Sequence, residues 1–288
     1  MRRPLDGPVL LTACVVGLFV ARLGGQVSRP GRMTAAFEVA SVKVGVPADV
    51  PSGIRPVTAG GQFHAILTLH DLVRVAYGSP LALLSSQIDG GPAWAATERF
   101  EIIAKAAGLA NAPSSGREEL LAMIRTLLTD RFQLQIRRER RELPIFNLVL
   151  DRADGRLGSR LHPENGDCVA MSAATAAAAD PSRWCGFKRF APGAISARGM
   201  TLDEFASGIS THADVQRVVR DRTGLAGKFD LDVEYTPETD TPGDPQSASA
   251  SGVALSTAMK DQLGLRLESA KGPVDVFVID HVERPTPD

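Results

Sequence analysis

QIDGGPAWAATERFEIIAKA (Gln87–Ala106) and VVRDRTGLAGKFDLDVEY (Val218–Tyr235) decide the fold, because they carry the same pattern twice in one chain. Each stretch has apolar residues, then a glycine-containing turn, then alternating apolar and polar residues typical of a β-strand. The strand-like part centres on Phe100 in the first stretch and on Phe229 in the second. The repetition predicts two copies of one structural unit.

The similarity continues in the same order on both sides of these stretches. Three further pairs of segments share apolar and turn positions: GAISARGMTLDEF (193–205) with GQFHAILTLHDLV (61–73), ALSTAMKDQLGLRL (254–267) with MIRTLLTDRFQLQI (123–136), and KGPVDVFVID (271–280) with ELPIFNLVLD (142–151). A match that keeps its order over nearly the whole unit favours an internal duplication. The alternative is the convergence of two similar α+β patterns.

The element pattern predicts an α+β protein of two tandem duplicated units, each strand–helix–strand(s)–helix–hairpin. The first unit with its leading strand spans residues 33–157, and the second spans 192–286. Residues 158–191 form a connector closed by a disulfide. The stretch 236–252 is rich in proline, serine and aspartate, which predicts a disordered insertion in the second unit.

The N-terminus predicts export. Residues 1–25 combine a short basic start, an apolar run too short for an ordinary transmembrane helix, and small residues at a plausible cleavage point. An uncleaved membrane anchor is the alternative. A lipoprotein signal is disfavoured because most of the apolar run follows Cys14. We therefore expect the protein in the periplasm, in the cell envelope or outside the cell.

Removal of the signal leaves two cysteines, Cys168 and Cys185. In an exported protein an even pair at this separation most often forms a disulfide, and closing such a loop is worth about 3 kcal/mol in the chain-entropy model. A redox or metal-binding pair is the alternative, but the C-x-x-C spacing is missing and the nearest histidine, His162, stands alone.

No motif for catalysis or cofactor binding is present in the sequence. It lacks H-E-x-x-H, G-x-S-x-G, S-x-x-K and phosphate-binding glycine patterns. His64 and His70 are six residues apart, but two histidines do not complete a typical zinc site. We assign no catalytic residue, and we expect neither a cofactor nor a bound metal.

Two charged stretches each have two interpretations. RRERRE (Arg137–Glu142) predicts a solvated hairpin, with a patch for an anionic ligand as the alternative. DRTG (Asp221–Gly224) is typical of a turn in which the aspartate side chain accepts backbone N–H bonds, although an active-site role for Asp221 is the alternative.

Several segments together resemble an uncharacterised exported protein family of acidobacteria, of the Solibacter type, known as a domain of unknown function. The resemblance covers about Phe37 to Pro285. It implies no established activity, cofactor or site residue. The segments that carry it are FEVASVK, TLHDLVRVAYG, QIDGGPAWAATERFEIIAKA, LLTDRFQLQIRRERRELPIFNLV, DRTGLAGKFDLDVEY and LGLRLESAKGPVDVFVIDHVERP.

Our first hypothesis for function is a non-enzymatic binding or interaction module. Its partner would be a protein or an envelope ligand. The second hypothesis is a secreted or periplasmic hydrolase with a site between the two units, built from Asp71, His64 or Asp221. The third is a structural envelope component. The net charge of −1 gives no reason to expect nucleic acid, and only an uncleaved N-terminal segment would contact a membrane.

The disulfide is directly testable. We expect Cys168 and Cys185 of the mature exported protein to resist thiol labelling under denaturing, non-reducing conditions, and to be labelled after reduction. Mass spectrometry of the alkylated protein measures both states. Labelling of both residues without a reductant would disprove the bond and favour the redox or metal alternative.

Overall fold

The computed structural model describes residues 35–55, 57–58, 60–79, 81–106, 116–166, 168, 180–237 and 253–286. These residues form five α-helices and twelve strands in three four-stranded sheets, so the fold class is α+β as predicted. The expected export segment 1–25 and nearly all of the expected insertion 236–252 lie outside the described residues. No helix in the described part is long and apolar enough to cross a bilayer.

The first sheet is antiparallel, with the strand order β1–β5–β3–β2. Helices α1 and α3 bury their apolar faces in the same core as this sheet, and Phe63, Phe100 and Phe132 are completely enclosed there. The bounds of these elements are β1 Val39–Val44, β2 Gly53–Arg55, β3 Gln62–Thr68, α1 Leu69–Tyr77, β4 Ile88–Gly90, α2 Trp94–Thr97, β5 Arg99–Lys105 and α3 Gly116–Phe132.

A second antiparallel sheet, β7–β11–β9–β8, has a core of its own that includes Ile195, Phe205 and Leu231. Its elements are β7 Leu161–Pro163, β8 Lys188–Ala191, β9 Ala194–Met200, α4 Leu202–Ser210, β11 Phe229–Glu234 and α5 Leu255–Ala258. A π-helical turn, Met259–Leu263, extends α5.

A threonine caps the helix at each of two strand-to-helix junctions, β3 to α1 and β9 to α4. Thr68 Oγ1 accepts a bond from Asp71 N–H at 3.1 Å before α1, which makes Thr68 the N-cap of this helix. Thr201 does the same for Glu204 N–H before α4, and the Glu204 carboxylate in turn accepts a bond from Thr201 N–H. Each cap satisfies donors that a helix start leaves open.

The third sheet joins the two halves of the chain, residues 35–157 and residues 158–286. Its strand order is β10–β6–β12–β4. Its centre is a long antiparallel pair, β6 Gln135–Leu150 and β12 Leu265–His281. The short strand β4, from the first half, runs parallel to β12, and β10 Val219–Asp221, from the second half, runs parallel to β6. Each half therefore attaches a short strand to the long strand of the other half.

The predicted hairpins are wrong. Arg137–Glu142 lie inside the uninterrupted strand β6, and β12 is likewise continuous. The physical reason is that the backbone of the charged run pairs with the other long strand, where Arg137–Glu142 lie opposite residues 273–278. The arginines also find carboxylates there: Arg138 pairs with Asp275, and Arg137 Nε lies 2.9 Å from Asp280 Oδ1. The run of charged residues in this half-exposed strand was therefore mistaken for the turn of a hairpin.

Two prolines lie in the middle of the long pair without breaking it. Pro144 is opposite Lys271, and Pro273 is opposite Glu142. Proline lacks an N–H, so a strand tolerates it only where no ladder bond is needed. The pairing of β10 with β6 begins beyond Pro144, at Phe146, and the pairing of β4 with β12 begins beyond Pro273, at Phe277. The prolines therefore stand where the described residues supply no third strand.

The stretch 158–191, which the sequence predicts as a connector, contains β7 and β8, the two edge strands of the second sheet. The disulfide between Cys168 and Cys185 lies within this stretch, with the two Cα atoms 4.9 Å apart. It covalently links the chain leaving one edge of the sheet to the chain arriving at the other.

From β3 and from β9 onward, and apart from the short helix α2, the two halves run through their elements in the same order: strand, helix, short exchanged strand, strand, helix, long strand. The matched core positions Leu69, Phe100 and Leu134 in the first half are buried, as are their predicted equivalents Leu202, Phe229 and Leu265. The internal duplication itself stays a prediction.

The exchange of short strands makes the two halves interdependent. We expect residues 35–157 expressed alone to lack a cooperative thermal transition, because β6 and β4 both lose β12. Co-expression with residues 158–286 should restore the melting seen for residues 35–286. Circular dichroism measures both. A cooperative transition in the isolated fragment would contradict the interdependence.

Candidate functional site

A cleft of about 390 Å³ lies between the two halves, above the long strand pair. One wall is the end of α1 and the chain that follows it, including Tyr77 and Leu81. The opposite wall is α4 and the start of β10, including Ser207 and Ser210. The volume is within the range of small-molecule sites, which commonly occur where two structural units meet.

The floor of the cleft is an ion pair between the two long strands, Arg138 with Asp275. The hydrogen bond from Arg138 lowers the pKa of the Asp275 carboxyl below its ordinary value. Gln87 reaches the same point from the first half, since its side-chain amide donates to the Asp275 carbonyl at 3.2 Å. Three distant parts of the chain are thus joined at Asp275.

A second pocket of about 360 Å³ continues the cleft. It shares Gln87, Val218 and Asp275 with the first pocket and adds the guanidinium groups of Arg140 and Arg220. Among the described lining residues of both pockets, three arginines face one carboxylate. The cleft is therefore positively charged, although the chain as a whole is close to neutral.

The first wall is held by close backbone packing after α1. Arg74 Nε donates to the Leu83 carbonyl at 2.7 Å and folds the loop back on the helix. A Cβ at Gly78 would lie 2.3 Å from the Leu81 carbonyl oxygen, so only glycine fits there. The Tyr77 ring packs on Phe277 of β12 with centroids 5.4 Å apart, which ties the wall to the floor.

In the opposite wall, a buried serine links α4 to β10. Ser210 Oγ donates to the Ala206 carbonyl at 2.8 Å and accepts from Val219 N–H at 2.8 Å. This hydroxyl therefore sets the spacing between α4 and the exchanged strand β10. Ser210 and Val219 both line the cleft, so the same spacing sets the shape of this wall.

Behind this wall is a buried polar cluster of His212, Asp214 and Tyr235. His212 Nε2 lies 3.0 Å from the Tyr235 hydroxyl, and Nδ1 lies 3.3 Å from Asp214 Oδ2. His212 is only 7% exposed, so both of its ring nitrogens need hydrogen-bond partners, and Nδ1 accepts a bond from Asp214 N–H at 3.4 Å. The cluster holds the loop that returns from α4 to β10. No local motif links His212 to Tyr235, so the sequence did not predict this cluster.

The residues suggested for a hydrolase are not brought together. His64 Nε2 lies 3.0 Å from Glu101 Oε1 on the first sheet. Asp71 bonds Thr68 and Arg74 at the start of α1. Asp221 Oδ1 accepts both the backbone N–H and the hydroxyl of Thr223 at 2.8 Å, the turn that the sequence predicts. None of His64, Asp71 and Asp221 is among the described residues lining the cleft.

The predicted cysteine pair, Cys168 and Cys185, has one potential metal ligand beside it, Glu164. Ligand atoms of Glu164, Cys168 and Cys185 lie within 4.8 Å of one another. The sulfurs are joined in a disulfide, however, and metals bind the free thiolate. We therefore describe this group as a structural crosslink next to a carboxylate.

The fold and cleft define an α+β protein of two interlocked halves with a basic site at their junction. The chain belongs to the family described as "Protein of unknown function (DUF3738)", whose sequence model matches residues 70–282. The match agrees with the expected domain of unknown function, and the acidobacterial origin stays a prediction. A comparison with curated proteins gave no match, and a comparison with solved structures gave none either.

The buried cluster generates a prediction about stability. Burial, with a contribution from Asp214, raises the pKa of Tyr235 to about 12. The folded state therefore keeps this proton after the unfolded chain releases it, and the free energy of unfolding should fall as the pH rises from about 10 to 12. Tyr235→Phe should flatten that fall and, at neutral pH, lower the free energy of unfolding by about 1–3 kcal/mol, because buried His212 loses a partner.

Urea unfolding of the wild type and the variant at neutral and alkaline pH measures both effects. Tyr77→Phe is the matched control, since Tyr77 is the other tyrosine of the chain and its pKa is also raised by burial. It should leave the His212 contacts unchanged. Equal midpoints for Tyr235→Phe and the wild type at neutral pH would contradict the proposed role of the cluster.

Proposed function

We propose that this chain is an exported binding protein and that its ligand occupies the cleft between the two halves. The observation that carries the proposal is the composition of the cleft: arginines and hydroxyl groups from distant parts of the chain converge there, beside apolar surface from Tyr77 and Phe277. Pockets with a few convergent polar groups on an apolar lining are typical of ligand sites.

The export part of the proposal is supported by the disulfide. Disulfides persist in oxidising compartments and are uncommon in the cytosol of mesophiles. The ligand would then be a small molecule or a segment of a protein of the envelope or its surroundings. The near-neutral chain gives no support for a nucleic-acid partner.

The rigidity of the walls also supports binding. The loop after α1 is fixed by Arg74, and the junction of α4 and β10 is fixed by Ser210. Walls that are already ordered lose little conformational entropy when a ligand binds, which favours affinity. A hydrolase needs a nucleophile or metal, a base and a charge stabiliser within reach of one another. The three residues suggested for that role are engaged separately.

A blocked cleft tests the proposal. Ser207 lies on α4 and lines the cleft, so Ser207→Trp should fill part of it. Ser256 is exposed on α5, and Ser256→Trp is the matched control on another helix. A library of peptides, sugars and organic acids is screened against each protein by ligand-observed NMR. We expect compounds that bind the wild type and Ser256→Trp, with affinity reduced at least about tenfold in Ser207→Trp.

Ester, peptide and glycoside substrates are assayed beside the binding screen. Turnover that is lost in His64→Ala or Asp221→Ala, and kept in Ser207→Trp, would support the hydrolase and overturn the proposal. Binding that is equally strong in Ser207→Trp and the wild type would place the ligand elsewhere and would also overturn it.

A further inference from the structure

The charges of the cleft are not balanced. Asp275 is the single carboxylate among the described lining residues, and it contacts two of the three arginines. It forms a close pair with Arg138, whereas Arg140 Nε is 3.6 Å away. The carboxylate is thus largely committed to Arg138, and Arg140 is left with a weak partner.

The second pocket therefore presents two available guanidinium groups. The Arg140 side chain is 72% exposed, so its remaining N–H groups face solvent. Arg220 donates to the backbone carbonyl of Pro273, and no carboxylate among the described residues lies within ion-pair distance of it. Each guanidinium has five N–H donors in a planar fork, and one carbonyl or one distant carboxylate leaves most of them open.

Apolar surface adjoins this charged end. The first pocket is lined by Tyr77 and Phe277, which pack together at 5.4 Å, and by Leu81 at its rim. Leu81 is 40% exposed, so part of its apolar side chain is open to a ligand at this rim. The two pockets meet at Gln87, Val218 and Asp275, so one ligand could reach both.

We infer that the cleft selects organic acids, with the carboxylate held between Arg140 and Arg220 and an apolar body lying against Tyr77, Leu81 and Phe277. The inference rests on the proposed binding function and names its ligand class. A guanidinium fork matches the two oxygens of a carboxylate and remains charged at all physiological pH values.

The probes are 3-phenylpropionate and its uncharged amide, 3-phenylpropionamide, which differ at the acid group. Isothermal titration against the full chain, or NMR where affinity is weak, gives both dissociation constants. We expect the acid to bind the wild type at least about tenfold more tightly than the amide. The preference should weaken as the salt concentration rises.

Arg140→Gln and Arg220→Gln should each reduce the preference for the acid about three- to tenfold and leave amide binding nearly unchanged. Arg140 is exposed, so its replacement should not disturb folding. Arg152→Gln is the control: Arg152 is a surface arginine paired with Asp154 in a turn, outside the described lining of both pockets. It should bind both probes as the wild type does.

Asp275→Asn should increase the preference for the acid over the amide, the opposite of the arginine replacements. Removal of the carboxylate frees Arg138, so the acid should bind more tightly and the amide should not. If Asp275 had only a structural role, its replacement would weaken the binding of both probes or of neither. Thermal melting of each variant checks that the fold is kept.

The outcomes separate this inference from the proposed function. Equal affinity for acid and amide, both lost in Ser207→Trp, would leave a binding cleft and overturn the preference for acids. An acid preference that survives both arginine replacements would overturn the assigned position of the carboxylate. Absence of saturable binding of either probe would overturn the inference, while cleft-dependent binding of uncharged library compounds would still support the proposed function.

Discussion

The pairing of β6 with β12 is the interaction on which the rest of the molecule depends. Residues 135–150 pair with residues 265–281 in one antiparallel ladder that joins the two halves along its whole length. The ladder also carries β4 on one side and β10 on the other. Because each short strand comes from the half that does not contribute its neighbour, neither half can complete the central sheet alone.

The position of the cleft follows from this exchange. β4 brings Gln87 and the loop after α1 to β12, and β10 brings Val218 and the end of α4 to β6. Both arrive above the charged part of the ladder, where Arg138 pairs diagonally with Asp275 across the two strands. Exposed ion pairs contribute little to stability, typically below about 1 kcal/mol. The charges here are therefore better suited to a role at the surface of the site than to holding the ladder together.

Local features of this chain were predictable from sequence, and pairings between distant segments were not. The cap at Thr68, the turn at Asp221 and the disulfide are each set by nearby residues or by a single pair of cysteines. The hairpin failed because the partner of Arg137–Glu142 lies more than a hundred residues away on β12. The same holds for the site, where Gln87 and Asp275 are 188 residues apart. Periodicity reports which face of a strand is buried and does not report which strand lies beside it.

Each wall of the cleft is joined to the long strand pair by one short strand, β4 or β10. β4 and β10 have three residues each, so each wall is attached to the floor by only a few ladder bonds. Side-chain contacts supplement them: Gln87 bonds the Asp275 carbonyl, and Arg220 bonds the Pro273 carbonyl. A ligand that touches both walls and the floor would bridge the same three parts. Since ligand binding stabilises the state that binds it, occupancy of the cleft should raise the stability of the two joined halves.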